Sequence, residues 1–181
     1  MDEFETIAEA HGRVHIRYAV AADQPVLQAI FNHEVAHSTS SWEWLPLSNE
    51  DWRGWFREHT RDDRVLLVAE VDGHVAGFAA YGSFRTKAGY ASTVEDSIFL
   101  EEGYRGHGLG TRLLRQLVAE AKLRGVHSMV AAVTGDNTAS IHLHQSVGFR
   151  EAGRLPQIGH KFGRWMDLVL LQIILDARQA P

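Results

Sequence analysis

Residues 105–110 read Arg-Gly-His-Gly-Leu-Gly and stand between a strand-like run ending at Leu100 and a helical repeat of Leu109, Leu113, Leu114, Leu117, Val118 and Ala121. This junction commits the chain to a strand–loop–helix unit. Glycines let successive backbone N–H groups turn toward one point, and the helix that follows adds the positive end of its dipole there. A diphosphate is the ligand that suits such a corner. The glycine spacing narrows the choice further. A dinucleotide loop needs G-x-G-x-x-G, but with Gly106 and Gly108 in place its third glycine would fall at Thr111. A G-x-x-x-x-G-K-[ST] loop lacks its lysine. What remains is Arg-x-x-Gly-x-Gly with an aliphatic residue, Leu109, between the last two glycines.

The flanking periodicities predict the rest of the unit. A first strand is expected at residues 14–19. Asp23 and Pro25 then mark a helix carrying Val26, Leu27, Ile30, Phe31 and Val35 at helical spacing. Ser48 followed by Asp51 opens a second helix with Trp52, Trp55 and Phe56. Residues 65–71, the pair Asp72-Gly73 and residues 74–84 predict a hairpin, and residues 91–100 a further strand. The helix after the glycine loop stops at Gly125, residues 129–134 form a short buried strand, and Asn137 starts a helix ending at Gly148-Phe149. Residues 149–160 and 164–175 predict two long strands joined by a turn at Phe162-Gly163. This order belongs to an α+β fold with one mixed central sheet flanked by helices. A length of 181 residues suits a single domain over residues 13–181, preceded by a loose acidic extension at residues 1–12.

Several function classes are disfavoured. A net charge of −5 with no block of Lys or Arg argues against a nucleic-acid partner. The absence of cysteine removes disulfides, thiolate metal sites and a cysteine nucleophile. The leading residues are acidic, opposite in sign to a signal peptide. The most apolar stretch, residues 165–175, is interrupted by Asp167 and Gln172 and is too short to span a bilayer. A soluble, cytoplasmic protein without a membrane partner is expected.

The glycine loop resembles the acyl-CoA loop of the GNAT N-acetyltransferase superfamily. Asn137 and Ser140 at a helix start, the strand before them and Gly148-Phe149 after them match the same superfamily, so the likeness covers about residues 65–160. A narrower likeness lies in Phe31-Asn32-His33, Ser38-Thr39, Ser92-Thr93-Val94-Glu95, Leu143-His144 and the run from Gly159 to Trp165 with Asp167. From residue 14 onward these resemble the phosphinothricin and methionine sulfoximine acetyltransferase branch. The resemblance implies a three-layer fold with a mostly antiparallel sheet and acetyl-CoA as cosubstrate, with no metal. It implies acetylation of the α-amino group of a small amino-acid analogue within a ternary complex. It also implies a homodimer, for which five tryptophans and the apolar C-terminal strands supply surface that needs covering.

Residue roles follow from the same likeness. Backbone groups of Arg105, Gly106, His107, Gly108, Leu109, Gly110 and Thr111, with Asn137 and Ser140, are expected to hold the cofactor. Ile98, Phe99 and Leu100 would offer backbone partners to the pantetheine arm, on a strand that the family splays with a bulge. Glu95 matches the proposed general base, and Asp96 should point to the opposite face as its control. His144 stands where many members carry a tyrosine thought to protonate the departing thiolate. It suits either an acid for the sulfur or a base for the amine. Phe84, Arg85, Lys87 and Tyr90, with Thr93 and Val94, would flank the acceptor, and the planar fork of Arg85 suits a carboxylate. Trp42 and Glu43 would form the far wall.

Three rivals stand beside this reading. His33-Glu34-Val35-Ala36-His37 spells H-E-x-x-H on a predicted helix, with Glu58 as a third ligand, as a zinc hydrolase requires. Eleven histidines make a chance occurrence common enough that the motif carries modest weight, and His33 is also explained by the branch's Asn-His pair. A non-catalytic acyl-CoA sensor is a second rival, against which intact Glu95 and His144 count. The third is an acetyltransferase acting on another small amine or a peptide N-terminus.

Overall fold

Strand periodicity sorts this chain's apolar residues onto two faces of one sheet, and each face acquires its own helices. The structure is a computed structural model and describes residues 12–178 and residue 180. The expected extension at residues 1–12 therefore lies, apart from Gly12, outside the described residues. The elements are β1 (Val14–Tyr18), α1 (Gln24–His37), α2 (Asn49–His59), β2 (Val65–Val71), β3 (His74–Ser83) and β4 (Thr93–Leu100). They continue with α3 (Leu109–Leu123), β5 (Ser128–Thr134), α4 (Thr138–Val147), β6 (Arg150–Lys161) and β7 (Arg164–Ile174). Their order is the one expected from the periodicities.

The sheet runs β1-β2-β3-β4-β5-β7-β6, and β4 with β5 is the parallel pair among antiparallel neighbours. Leu113, Leu114 and Leu117 of α3 and Ile141 of α4 cover one face, together with Val94, Met129 and Val169 of the sheet. Leu27, Phe31, Trp52 and Phe56 of α1 and α2 cover the other, against Leu66, Phe78 and Phe99. A fully buried Leu or Phe contributes about 1.5–3 kcal/mol. A one-residue slip of β4 would exchange Val94 for Glu95 in the core, so the register is tightly specified.

Local signals behave as expected at two helix starts. Ser48 accepts the Asp51 N–H at 3.2 Å, and Asn137 accepts that of Ser140 at 3.1 Å. Asp23 differs. Its carboxylate is drawn away from α1 by Arg17, at 2.8 and 2.9 Å, and by the Val20 N–H, leaving Pro25 in the first turn as the start signal.

The feature that positions the site is a parting of strands. β4 and β5 pair only at Thr93↔Ser128, Val94↔Met129 and Glu95↔Val130. Beyond that point β4 stays with β3 as far as Gly77↔Leu100, and β5 stays with β7 through Thr134↔Leu168. The expected bulge in β4 is not what opens the sheet, because the β3–β4 ladder runs without a register shift. The opening arises where the parallel pairing ends.

Candidate active site

The parting creates a groove of about 510 Å³ lined by Asp96–Leu100 on one side and Ala131–Thr134 on the other. Arg105, Gly106, Gly108, Gly110 and Thr111 close one end, and Asn137, Ser140, Leu143 and His144 of the α4 region cover it. Gly106 and Gly108 have φ of 80° and 78°, and Gly108 is the cap residue of α3. A side chain at either position would cost about 1–2 kcal/mol in that left-handed conformation. The first N–H groups of α3 have no partner within the helix, so this end presents donors to an anion. Leu109 is buried in the core and pins the helix start, and only its main chain belongs to the loop. His107 is exposed.

Arg105 turns out to serve the loop itself. Its guanidinium donates to the Leu100 carbonyl at 3.1 and 2.8 Å and to Glu34 of α1. Glu34 is buried and also accepts from Ser38 Oγ at 2.8 Å. Burial alone would raise its pKa, but Ser38 and Arg105 together hold it below the usual carboxylate range. The glutamate of the H-E-x-x-H run is thus a structural anchor for the glycine loop. His33 and His37 stack at 4.5 Å, His37 Nδ1 lies 3.0 Å from the His33 carbonyl, and Glu58 pairs with Arg61. Among the described residues, no group of three or more His, Cys, Asp or Glu side chains is placed to hold a metal. Arg105→Ala is expected to lower stability by about 2 kcal/mol, the worth of a charged hydrogen bond, by stranding Glu34. Thermal melting checks the stability loss, and a calorimetric titration should show weaker coenzyme A binding as the loop loosens.

Parity places Glu95 on the α1–α2 side of the sheet. It is half-buried and 3.7 Å from Arg85. Burial pushes its pKa up, Arg85 opposes that, and the charge of Asp96 adds to it. The Arg85 guanidinium lies over the Phe84 ring at 4.2 Å, and Phe84 meets Tyr90 edge-on at 5.7 Å. Phe84, Arg85, Tyr90 and Glu95 therefore form one cluster. Thr93 lies beside it, its carbonyl accepting the Phe84 N–H at 3.4 Å, whereas Lys87 is exposed at the start of the Ala88–Tyr90 turn. Val94, expected at the acceptor, instead has its side chain in the core, because its parity is that of the α3–α4 face. Ile98 and Leu100 pack on that face too, while Phe99 reaches the opposite core against Phe31 and Phe78.

Asp96 does lie opposite Glu95, but it is no bystander. His144 Nε2 is 3.0 Å from Asp96 Oδ2, and His144 Nδ1 is 2.7 Å from the Ser140 carbonyl. His144 and Asp96 are 2% and 1% exposed, and among the described residues Asp96 Oδ1 has no hydrogen-bond partner. Burial alone would lower the His144 pKa, but the bond and charge of Asp96 outweigh it and raise the value. A clue lay in the sequence: Asp96 occupies the parity of Val94 and Ile98, where a carboxylate needs a partner. Trp42 donates to Thr134 Oγ1 at 2.8 Å at the end of β5.

The sequence profile of the acetyltransferase (GNAT) family matches residues 27–149. Over 168 residues the chain is 42% identical to the L-methionine sulfoximine/L-methionine sulfone acetyltransferase of Pseudomonas aeruginosa, spanning 92% of this chain and 98% of that one. It is 38% identical over 157 residues to the phosphinothricin N-acetyltransferase of Alcaligenes faecalis, spanning 86% of this chain and 79% of that one. An acetyltransferase of Salmonella typhimurium, solved with its cofactor acetyl-CoA, matches with a TM-score of 0.90 at 38% identity over 93% of this chain and 97% of that one.

Proposed function

The chain belongs to the acetyltransferase (GNAT) family, and from that premise we propose how its site works. It is an acetyl-CoA-dependent N-acetyltransferase whose acceptors are small amino-acid analogues of the methionine sulfoximine, methionine sulfone and phosphinothricin type. The observation that carries this reading is the open parting of β4 and β5, with a glycine loop at one end and Glu95 beside its vertex.

The loop's main-chain donors hold the pyrophosphate of acetyl-CoA, and the groove along Ile98–Leu100 takes the pantetheine arm. A ligand anchored at the loop then brings its thioester toward the vertex. The acceptor enters from the Glu95 face, its carboxylate met by Arg85 and its ammonium by Glu95. Glu95 removes a proton, and the freed amine attacks the thioester carbon directly, since no cysteine exists to carry an acyl intermediate.

The protein acts as a cytoplasmic homodimer without nucleic-acid or membrane partners. Edge strand β6 exposes Leu155 and Ile158, and the exposed rings of Trp44 and Trp165 gather around His160 at 4.9 and 5.7 Å, a surface suited to a second copy. Among the described residues no helix is long and apolar enough to cross a membrane.

The test is an acetylation panel read by mass spectrometry. Methionine sulfoximine, methionine sulfone and phosphinothricin should be acetylated ahead of simple amines and peptide N-termini. Preference for a peptide would overturn the acceptor assignment, and hydrolysis abolished by a chelator would overturn the whole reading.

A further inference from the structure

We propose that Asp96 keeps His144 loaded with a proton, so that the pair serves as the acid for the departing coenzyme A thiolate and not as a base for the amine. This rests on the acetyl-transfer reading above and assigns one half of its proton traffic.

The partners of the two ring nitrogens fix how many protons the pair holds. The Ser140 carbonyl only accepts, and at 2.7 Å it is a much closer partner of His144 Nδ1 than the Ser140 hydroxyl at 3.4 Å, so Nδ1 carries the hydrogen. A neutral imidazole has a single N–H, which that bond uses. Nε2 would then face a carboxylate oxygen at 3.0 Å with a lone pair on each side, an arrangement that repels. A proton must lie between them, on nitrogen or on oxygen. In either form the pair has a proton to give, and neither ring nitrogen is free to take another.

Its surroundings leave Asp96 as the group that sets this state. Among the described residues Asp96 Oδ1 is buried without a donor, and His144 is the side chain hydrogen-bonded to the carboxylate. Glu95, next on β4, projects from the other face with Arg85 beside it. From β3, Tyr81 stands across the ladder from Asp96. On α4, His142 is exposed along the groove. The neighbouring positions of β5, Ala131 and Val133, carry no charge, and Phe149 meets the His144 ring edge-on at 5.1 Å.

Both members line the groove next to Glu95↔Val130, the last rung of the parallel pairing. As the C–N bond forms, the nitrogen's surplus protons leave through Glu95 and solvent. As the C–S bond breaks, its electron pair goes to sulfur, which takes the pair's proton. Water then reloads the pair. Asp96 acts through His144 and is a positioning residue.

The experiment is ¹⁵N NMR of histidine-labelled protein, with His144→Gln to assign the signal, combined with pH-resolved kinetics of Asp96→Asn. In the resting wild type at neutral pH, the pair's proton should appear as a hydrogen on each His144 nitrogen or as one shared with Asp96. In Asp96→Asn the ring should be neutral at the same pH. That variant should lose about 100-fold in kcat, the scale of general acid catalysis. Its KM for acetyl-CoA should stay within about twofold, and its alkaline limb should move to lower pH. Glu95→Gln should leave the alkaline limb in place. A wild-type ring with a bare, unshared Nε2, or an Asp96→Asn enzyme with unaltered kcat and alkaline limb, would overturn the proposal. Should Asp96→Asn fail to fold, the wild-type spectrum alone still decides the protonation state. A protein whose spectrum fits but which acetylates no amine would instead defeat the acetyl-transfer reading.

Discussion

Glu95→Gln is expected to lower kcat by about 100-fold or more while leaving acetyl-CoA affinity within about twofold, the range for losing a general base. The separation of effects follows from placement, because Glu95 projects on the face away from the groove proposed to hold acetyl-CoA. The pH dependence follows from burial. A base works only when deprotonated, and burial raises the Glu95 pKa above that of an ordinary glutamate against the pull of Arg85. Activity should therefore fall as pH drops through that raised value. Arg85→Gln removes the opposing cation, so the acidic limb should shift to higher pH while KM for an amino-acid acceptor rises. A wild-type rate that stays flat across the acidic range would remove Glu95 from the role.

Gly77→Val is expected to destabilise the fold by about 3 kcal/mol, the upper end for overpacking a tight site, and to abolish cofactor binding. Gly77 pairs with Leu100, and a Cβ there would lie 2.6 Å from the Phe99 carbonyl oxygen and 3.1 Å from Leu100 Cα. Those atoms are main chain, so the clash is relieved only by pushing the end of β4 away from β3. That end leads into the glycine loop, and its Leu100 carbonyl is what Arg105 holds. Gly82→Ala on the same strand is the control, since its nearest neighbour is the end of the His59 ring at 3.3 Å. Thermal melts and calorimetric titration with coenzyme A read both variants. Equal stability of the two would refute the argument.

The element order was legible because each segment announces its period locally, and the glycine loop because its conformations demand glycine. The tertiary partners were not. Arg105 and Glu34 are 71 residues apart and Asp96 and His144 are 48 apart, so no local pattern announces either contact. Glu34 was hidden for a further reason: spacing of i, i+4 puts His33 and His37 on one helical face whether or not a metal is present. Asp23 shows the converse, a cap-type residue claimed by Arg17 from a neighbouring strand. The family resemblance implies a bulge that splays β4, yet the opening of the sheet depends on how far β4 and β5 run together, which neither strand encodes alone.

Three residue pairs join β4 to β5. The molecule is therefore two half-sheets meeting at a short seam, and past it each half leaves an inner edge of peptide groups without a strand opposite. An extended, amide-bearing guest is the natural occupant, because it can lie between those edges as a surrogate strand. Such a guest would find main-chain partners on both edges, which a compact acyl donor would lack.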